Sequence, residues 1–298
     1  MLTLWKMENE IMKIIKPSVE FFGAVPTEYN AAIKFIEKCG RVCYKSEDKI
    51  TEDSAEGFVR KLIKAGHLAM VEHSNLVIKK PFDIYSPPDY PTELKYLNVC
   101  ITRGGVYIGG NLTAWYYLGQ QLEWDAEFVR PFKEVYGGLF GLEVDEDSYS
   151  QWEVCPHDEI PKELHRYAAK FICDRGVSHE LVRHRPCSFA QESTRYVNYG
   201  GKDMEFIEPD GFGDWSPGTY QQFVMSCTEA EDAYNAMINS RLKPQQARAV
   251  LPNALKTEIV VTADRAEWSH IRKLRTAKSS HPDMQRVMNM LPWEEFLQ

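Results

Sequence analysis

Between residues 183 and 196 the chain reads Arg183-His184-Arg185-Pro186-Cys187-Ser188-Phe189-Ala190-Gln191-Glu192-Ser193-Thr194-Arg195-Tyr196. Three guanidinium groups and an imidazole in so short a stretch present many fixed N–H donors. Guanidinium groups bind phosphate and carboxylate oxygens in bidentate fashion. Ser193 and Thr194 add hydroxyls suited to a phosphate or a sugar. Pro186 ends any preceding helix, so the second half of the stretch falls on a loop, where binding groups concentrate. The plainer alternative is a solvated basic face.

Other chemistries find less support. His179 to His184 spell H-E-x-x-x-H, one residue longer than the zinc-protease spacing. Histidines five apart on a helix point about 140° apart, so they do not share a metal easily. No metal site is expected. The chain has no Gly-x-Gly-x-x-Gly, no Walker loop and no nucleophile elbow. Its seven cysteines are irregularly spaced, with no C-x-x-C pair. They read as reduced, mostly buried thiols of a cytoplasmic protein.

The elements that must position these residues follow from periodicity. Helices are expected over 27–39, with Thr27 as N-cap, and over 53–65, stopped by Gly66. Residues 76–78 read as a short strand, and 99–108 as a hairpin broken by Gly104-Gly105. Residues 112–118 and 124–135 look helical, the second interrupted by Pro131. Residues 145–158 read as an acidic surface loop. Residues 167–173 read as a strand, after which Ser178 is expected to cap a helix carrying His179 to His184. Ser216-Pro217 starts a helix that runs to about residue 241. Helices are expected over 244–251, 264–274 and 282–290, with a β-branched strand over 257–262. Strands and helices mix without βαβ alternation, so the class is α+β.

The composition agrees with a folded, soluble protein. The 298 residues are 44% apolar and 26% charged, with 35 Lys plus Arg against 43 Asp plus Glu. The net charge of −8 opposes a general nucleic-acid coat. The charge is unevenly spread: residues 241–278 carry +6 and residues 176–200 carry +1. Basic islands in an acidic protein suit a small anionic ligand. No run approaches the roughly 20 apolar residues of a membrane span, and the charged N-terminus lacks a signal-peptide core.

Several segments together resemble the flavin-dependent thymidylate synthases. Arg183-His184-Arg185, seven residues, then Ser193 resembles that family's signature. Gly66-His67 through Glu72-His73 resembles its G-H-x-x-x-x-E-H segment, preceded by Gly40-Arg41-Val42-Cys43-Tyr44. Ala247-Arg248-Ala249-Val250-Leu251-Pro252 resembles its A-R-x-x-L-P helix. Glu267-Trp268-Ser269-His270, Lys273-Leu274-Arg275-Thr276 and His281-Pro282 resemble its C-terminal nucleotide site. The resemblance covers residues 25–79 and 165–290, and leaves 80–160 as an insertion.

The resemblance implies a single catalytic domain over 1–298 with that family's fold, a mixed sheet flanked by helices. Residues 1–24 would form an N-terminal extension and first strand. It implies conversion of dUMP to dTMP, with methylenetetrahydrofolate as carbon donor and NADPH-reduced FAD as hydride donor. The demanding chemistry belongs to the flavin and folate, and the protein supplies position and electrostatics. By similarity, dUMP would contact Glu180, Arg183, Gln191, Glu192, Ser193, Thr194, Arg195, Arg248 and Arg275. FAD would contact His73, Asn75, Arg183, His184, Arg185, Gln191, Asp264, His270 and His281. Arg275 would be catalytic, its charge favouring ionisation at N3 of the uracil. A homotetramer with shared sites is implied, with neither nucleic acid nor membrane as partner.

The chain departs from the family pattern in places. Glu180 stands where Gln is common, Ala190-Gln191 where Asn-Glu is common, and Asp264 and Ala266 where Asn and Arg are common. Cys43 replaces a Ser. His67, His157 and His165 read as structural imidazoles. Trp115, Tyr116 and Tyr117 read as core. Two other functions fit parts of the pattern: a flavin-binding relative without synthase activity, and a single-stranded nucleic-acid module using residues 183–199.

Overall fold

The computed structural model describes residues 13–81, 96–144, 149–202 and 204–297. The chain opens with β1 (Lys13–Ile15) and β2 (Ser18–Ala24), then α1 (Tyr29–Tyr44), α2 (Ser54–Lys64) and α3 (Leu68–Val71). Next come β3 (Leu76–Lys80), β4 (Leu97–Thr102), β5 (Gly105–Gly110), α4 (Leu112–Gln121), α5 (Arg130–Phe140) and β6 (Glu153–Val154). β7 (Arg166–Asp174) leads into α6 (Arg175–Leu181), β8 (Ser188–Gln191), β9 (Glu205–Ile207) and α7 (Pro217–Asn239). The chain closes with α8 (Pro244–Ala247), β10 (Lys256–Asp264), α9 (Arg265–Arg275), α10 (Pro282–Met288) and α11 (Trp293–Phe296).

The class is α+β. One antiparallel sheet has the order β2-β7-β10-β8, a second has β4-β5-β3-β6, and among the described residues parallel pairing is confined to β1 with β9. β10 is central because its sequence suits burial on both faces. Thr257, Ile259, Val260, Val261 and Thr262 are β-branched, and every residue between its ends is buried. It pairs with β7 over nine residues, placing Lys256 opposite Asp174 and Asp264 opposite Arg166.

Each of these two strands ends in an aspartate that starts a helix. Asp174 Oδ1 accepts the Val177 N–H at 2.8 Å, and Asp264 Oδ1 accepts the Glu267 N–H at 2.8 Å. An N-cap carboxylate satisfies a helical donor that would otherwise lack a partner. The expected cap at Ser178 is therefore corrected to Asp174. Ser178 lies inside α6 and donates its hydroxyl to the Arg175 carbonyl. α6 ends at Leu181, so His184 lies beyond the helix that was expected to carry it.

Val177 and Leu181 of α6 share a core with Trp268 and Ile271 of α9, Phe171 and Ile259. Both helices thus cover the same face of the sheet. Because β7 and β10 are antiparallel, the helices leave opposite ends and run toward each other. At 1.5 Å per residue they are about 10 Å and 16 Å long, over a ladder of about 30 Å. Their C-terminal ends meet.

Residues 97–154, inside the segment expected to be an insertion, build most of the second sheet and share a core with α1 and α2. Ile36, Val59, Ile78, Ile108, Trp115 and Phe132 are among its members. Trp115 is buried and Tyr116 packs against this core, but Tyr117 is exposed, which corrects its expected place. α5 begins at Arg130, with Pro131 in the first turn where no N–H is needed. The expected acidic loop contains strand β6, paired with β3. At the β4–β5 turn, a Cβ on Gly105 would lie 2.3 Å from the Lys80 carbonyl oxygen at a φ of 149°, so only glycine fits.

Buried Arg166 joins the two sheets. Its guanidinium donates to the carbonyls of Glu72 (2.6 Å) and Ser74 (2.7 Å) and to Ser188 Oγ (3.0 Å). No helix among the described residues is long and apolar enough to cross a membrane. Residues 1–12 of the expected N-terminal extension and residues 82–95 and 145–148 of the expected insertion lie outside the described residues.

Candidate active site

Where α6 and α9 meet, Arg275 sits between them. Its NH1 donates to Glu180 Oε2 at 2.7 Å and its NH2 to the Glu180 carbonyl at 3.1 Å. Its Nε donates to His184 Nε2 at 3.0 Å. A guanidinium has five N–H donors and no acceptor. Three are engaged here, leaving two for a ligand. The cation also suits its place, because the C-terminal end of a helix carries partial negative charge.

The Arg275 bond fixes the state of His184. A donor facing Nε2 requires a lone pair there, so the proton sits on Nδ1. Glu267 Oε1 lies 3.2 Å from that Nδ1. Burial, then the Arg275 charge and the nearby His270 ring, pull the His184 pKa down to about 4. His184 and Glu267 are therefore a neutral imidazole and its acceptor, not an ion pair. Burial raises the Glu267 carboxyl, His270 opposes that shift and Asp264 adds to it.

Ligand atoms of His184, Glu267 and His270 lie within 4.8 Å of one another, close enough to consider a metal. Arg275 argues against one at Nδ1. A metal there would put the His184 proton on Nε2, facing a guanidinium N–H.

A second group gathers around residues 191–194. Gln191 Nε2 donates to Ser178 Oγ at 2.8 Å and to Thr257 Oγ1 at 3.2 Å. Arg175 NH1 approaches Thr257 Oγ1 at 3.4 Å. Glu192 is buried, accepting from the Tyr199 hydroxyl at 2.7 Å and Lys256 Nζ at 3.4 Å. Arg248 NH1 reaches Thr194 Oγ1 at 3.4 Å. The Ser193 N–H donates to the Cys43 carbonyl at 3.0 Å, pinning this loop to the end of α1. α6 connects the two groups, since it carries Ser178 toward Gln191 and Glu180 toward Arg275.

The remaining site residues divide among other places. Arg185 and Asp264 line a cavity of about 300 Å³ together with Glu72, Asn98, Tyr117 and Ser188. Asn98 Nδ2 donates to Asp264 Oδ2 at 3.0 Å, so the departure at Asp264 joins β4 to the helix cap. Glu180 and His281 line a cavity of about 270 Å³ with Asp174 and Asp283. Three carboxylates make that cavity a poor host for phosphate. Arg183 and Arg195 are exposed. Neither the Arg183 nor the Arg185 guanidinium has a hydrogen-bonding or ionic partner among the described residues.

His73 and Asn75 lie behind the site rather than on its surface, at 0% and 1% exposure. His73 Nδ1 is 2.7 Å from Thr262 Oγ1, and Asn75 Nδ2 donates to the Leu164 carbonyl at 3.0 Å. His73 Nε2 and Asn75 Oδ1 lack partners among the described residues. Burial, then the Arg166 charge, lowers the His73 pKa to about 3. Of the three imidazoles read as structural, His67 pairs with the Tyr44 hydroxyl at 2.8 Å and His157 with Thr27 at 3.2 Å.

Sequence reasoning gave no role to Arg175, Glu267, Tyr199 or Lys256. Arg175 follows the capping Asp174, and that adjacency was its only signal. The thiols offer no nucleophile: burial raises the pKa of all seven, Cys43 to about 11.

Residues 158–296 match the family described as thymidylate synthase complementing protein, Thy1. A flavin-dependent thymidylate synthase of Geobacter sulfurreducens is 38% identical over 108 residues, covering 34% of this chain and 43% of that protein. One of Thermococcus onnurineus is 32% identical over 117 residues, covering 39% and 47%. One of Mycobacterium tuberculosis is 34% identical over 128 residues, covering 38% and 50%. The chain thus spans half or less of the length of these relatives. A crystal structure of a UMP/dUMP methylase, PolB, from Streptomyces cacaoi bound with 5-Br dUMP aligns over 96% of this chain and 93% of that one, at 18% identity and a TM-score of 0.42. That likeness is too loose to argue from. The segment that holds Glu180, His184, Thr194, Arg248 and Arg275 is the segment that matches Thy1.

Proposed function

We propose that this chain is a flavin-dependent thymidylate synthase that methylates C5 of dUMP to give dTMP. The observation that carries this reading is the meeting of Glu180, His184 and Arg275 at the facing ends of α6 and α9. Two stretches that resemble the family's motifs supply His184 and Arg275, and all three residues lie in the segment that matches Thy1. Bound FAD, reduced by NADPH, supplies hydride in this reading, and methylenetetrahydrofolate supplies the carbon.

The protein's own part is binding and charge. Arg248, Arg195, Ser193 and Thr194 form a cationic, hydroxyl-rich lip for the dUMP phosphate. Arg183 also approaches the nucleotide, and Gln191 and Glu192 complete its bed from the sheet. Arg275 offers its two remaining N–H donors toward the uracil edge. A fixed cation there stabilises negative charge that develops at N3, and costs no reorganisation during reaction. Glu180 holds that cation in place and receives donors from the base or ribose.

The residues fit a flavin dinucleotide by the chemistry of their donors. Arg183 and Arg185 are exposed guanidinium groups without partners among the described residues, as a pyrophosphate requires. His184, His270 and His281 add ring edges, Asp264 a carboxylate, and Gln191 an amide. His73 and Asn75 back the site from the core.

A shared site in a homotetramer belongs to the same reading. α7 supports it: only Cys227 and Tyr234 of its 23 residues are buried, and Tyr220 and Met225 are exposed. A helix so little covered by its own chain suits a subunit contact.

The test is anaerobic turnover of dUMP with methylenetetrahydrofolate and NADPH by the full chain. Flavin absorbance and dTMP formation are expected. A protein that takes up no FAD on reconstitution overturns the reading. Bound FAD without dTMP reduces it to a flavin-binding relative.

A further inference from the structure

We infer that Glu267 is a positioning residue, which fixes the tautomer and ring orientation of His184 and through that ring the guanidinium of Arg275. The significance for turnover rests on the role proposed above for Arg275. The geometry of the relay does not.

The argument runs along four groups in contact. Glu180 and the carbonyl at residue 180 hold two of the Arg275 nitrogens. The third, Nε, needs an acceptor, and the ring nitrogen at 3.0 Å is the acceptor it has. His184 provides that lone pair only while its proton is on Nδ1. Glu267 Oε1, 3.2 Å from Nδ1, takes that proton in a hydrogen bond. His184 is 6% exposed, so an Nδ1–H without Glu267 would be stranded out of reach of water. Ring rotation would then relieve the stranded N–H and withdraw the acceptor from Arg275.

Glu267 is itself held from the far side. Its backbone N–H is the one capped by Asp264, so the carboxylate stands on the first turn of α9 while Arg275 stands on the last. One helix thus carries both ends of the relay, and the imidazole from the arginine-rich loop closes it. His270 stands beside the relay, its ring centroid 5.9 Å from that of His184 at an interplanar angle of 72°.

The experiment uses the full chain with 15N-labelled histidine. His184 is assigned by the resonance lost in His184→Phe, and the ring nitrogens are read by long-range 1H–15N correlation. In the native chain Nδ1 is expected at a protonated shift and Nε2 at an unprotonated one. Glu267→Gln is expected to keep that pattern, because its amide oxygen still accepts. Glu267→Leu is expected to bring the two nitrogen shifts together as the ring samples both tautomers. In turnover, Glu267→Leu should lower kcat about 10- to 100-fold, by analogy with the loss when the partner that orients a metal-ligating histidine is removed. The KM for dUMP should change little, and Glu267→Gln should retain most activity.

A native spectrum with the proton on Nε2 overturns the inference, as does an unchanged His184 pattern in folded Glu267→Leu. If Glu267→Leu does not fold, the native and Glu267→Gln spectra decide alone. Zinc that shifts the His184 nitrogens and remains bound at one equivalent after dialysis would also overturn it, in favour of a metal site. The expected tautomer pattern with no dTMP from any variant would sink the proposed reaction and leave the relay standing.

Discussion

The Nε–H of Arg275 donates to Nε2 of His184 across 3.0 Å, and this bond ties the last turn of α9 to the arginine-rich loop. Arg275 satisfies three acceptors at fixed angles. A lysine in its place has one nitrogen and cannot span them. Arg275→Lys is expected to keep its flavin absorbance and to lose dTMP formation by about 100-fold. Single-turnover assays with reduced enzyme would measure this, and near-native turnover would remove Arg275 from the chemistry.

Acid should weaken the fold before any carboxylate cluster titrates fully. His184 and His73 have folded pKa values of about 4 and about 3, against 6.5 for an unperturbed group. Both are bases whose pKa is lowered, so their neutral forms belong to the folded state. Above pH 6.5 neither penalises folding. Below it the unfolded chain takes up protons that the folded chain refuses, and stability is lost progressively toward pH 4. For His184 alone the loss by pH 4 is on the order of 3 kcal/mol. Urea midpoints should fall steadily from pH 7 to pH 5, and His184→Asn should flatten part of that slope. A midpoint independent of pH over this range would contradict the assignment.

Glu258 makes a different, anionic contribution. Burial would raise its pKa, but hydrogen bonds from Lys256 and Lys45, each 2.7 Å long, outweigh burial and hold it at about 2. Glu258→Gln leaves those lysines without their carboxylate and is expected to cost about 3 kcal/mol at pH 7. The difference from the native chain should be full above pH 4.5 and shrink as pH falls toward 2. Equal stability at neutral pH would show that the network contributes nothing net.

Asp264 does two jobs that substitution can separate. Its Oδ1 caps α9 and its Oδ2 accepts from Asn98. Asp264→Ala is expected to lower stability by about 1 kcal/mol through loss of the cap. Asp264→Asn keeps a capping oxygen and should stay close to native in thermal unfolding. An equal loss in both variants would mean that charge, not capping, is what counts.

The elements that hold the site were legible where one local signal dominated. The β-branched run before Asp264 marked β10, and Ser216-Pro217 marked the start of α7. Asp174 was missed as a cap because Ser178 is an equally good capping residue by type. Only the strand's true end, one residue past Cys173, separates them. Arg183, His184 and Arg195 stood out by charge and spacing, and Arg248 by the resemblance of residues 247–252 to the family's A-R-x-x-L-P helix. Glu267 did not, because its role depends on two helices meeting end to end, and periodicity within one helix carries no information about that. The burial of His73 and Asn75 was equally hidden, since it follows from Arg166 drawing the connection between α3 and β3 onto the central sheet.

The β7–β10 ladder acts as a ruler. α6 and α9 leave it from opposite ends, so its length sets the gap in which Glu180 and Arg275 touch. One residue added to the ladder would part the helix ends by about 3.3 Å, more than a 2.7 Å contact survives. Residues 97–154 enter the chain before Arg166, where the ladder begins. That segment is free to grow, shrink or diverge without changing the reading on the ruler.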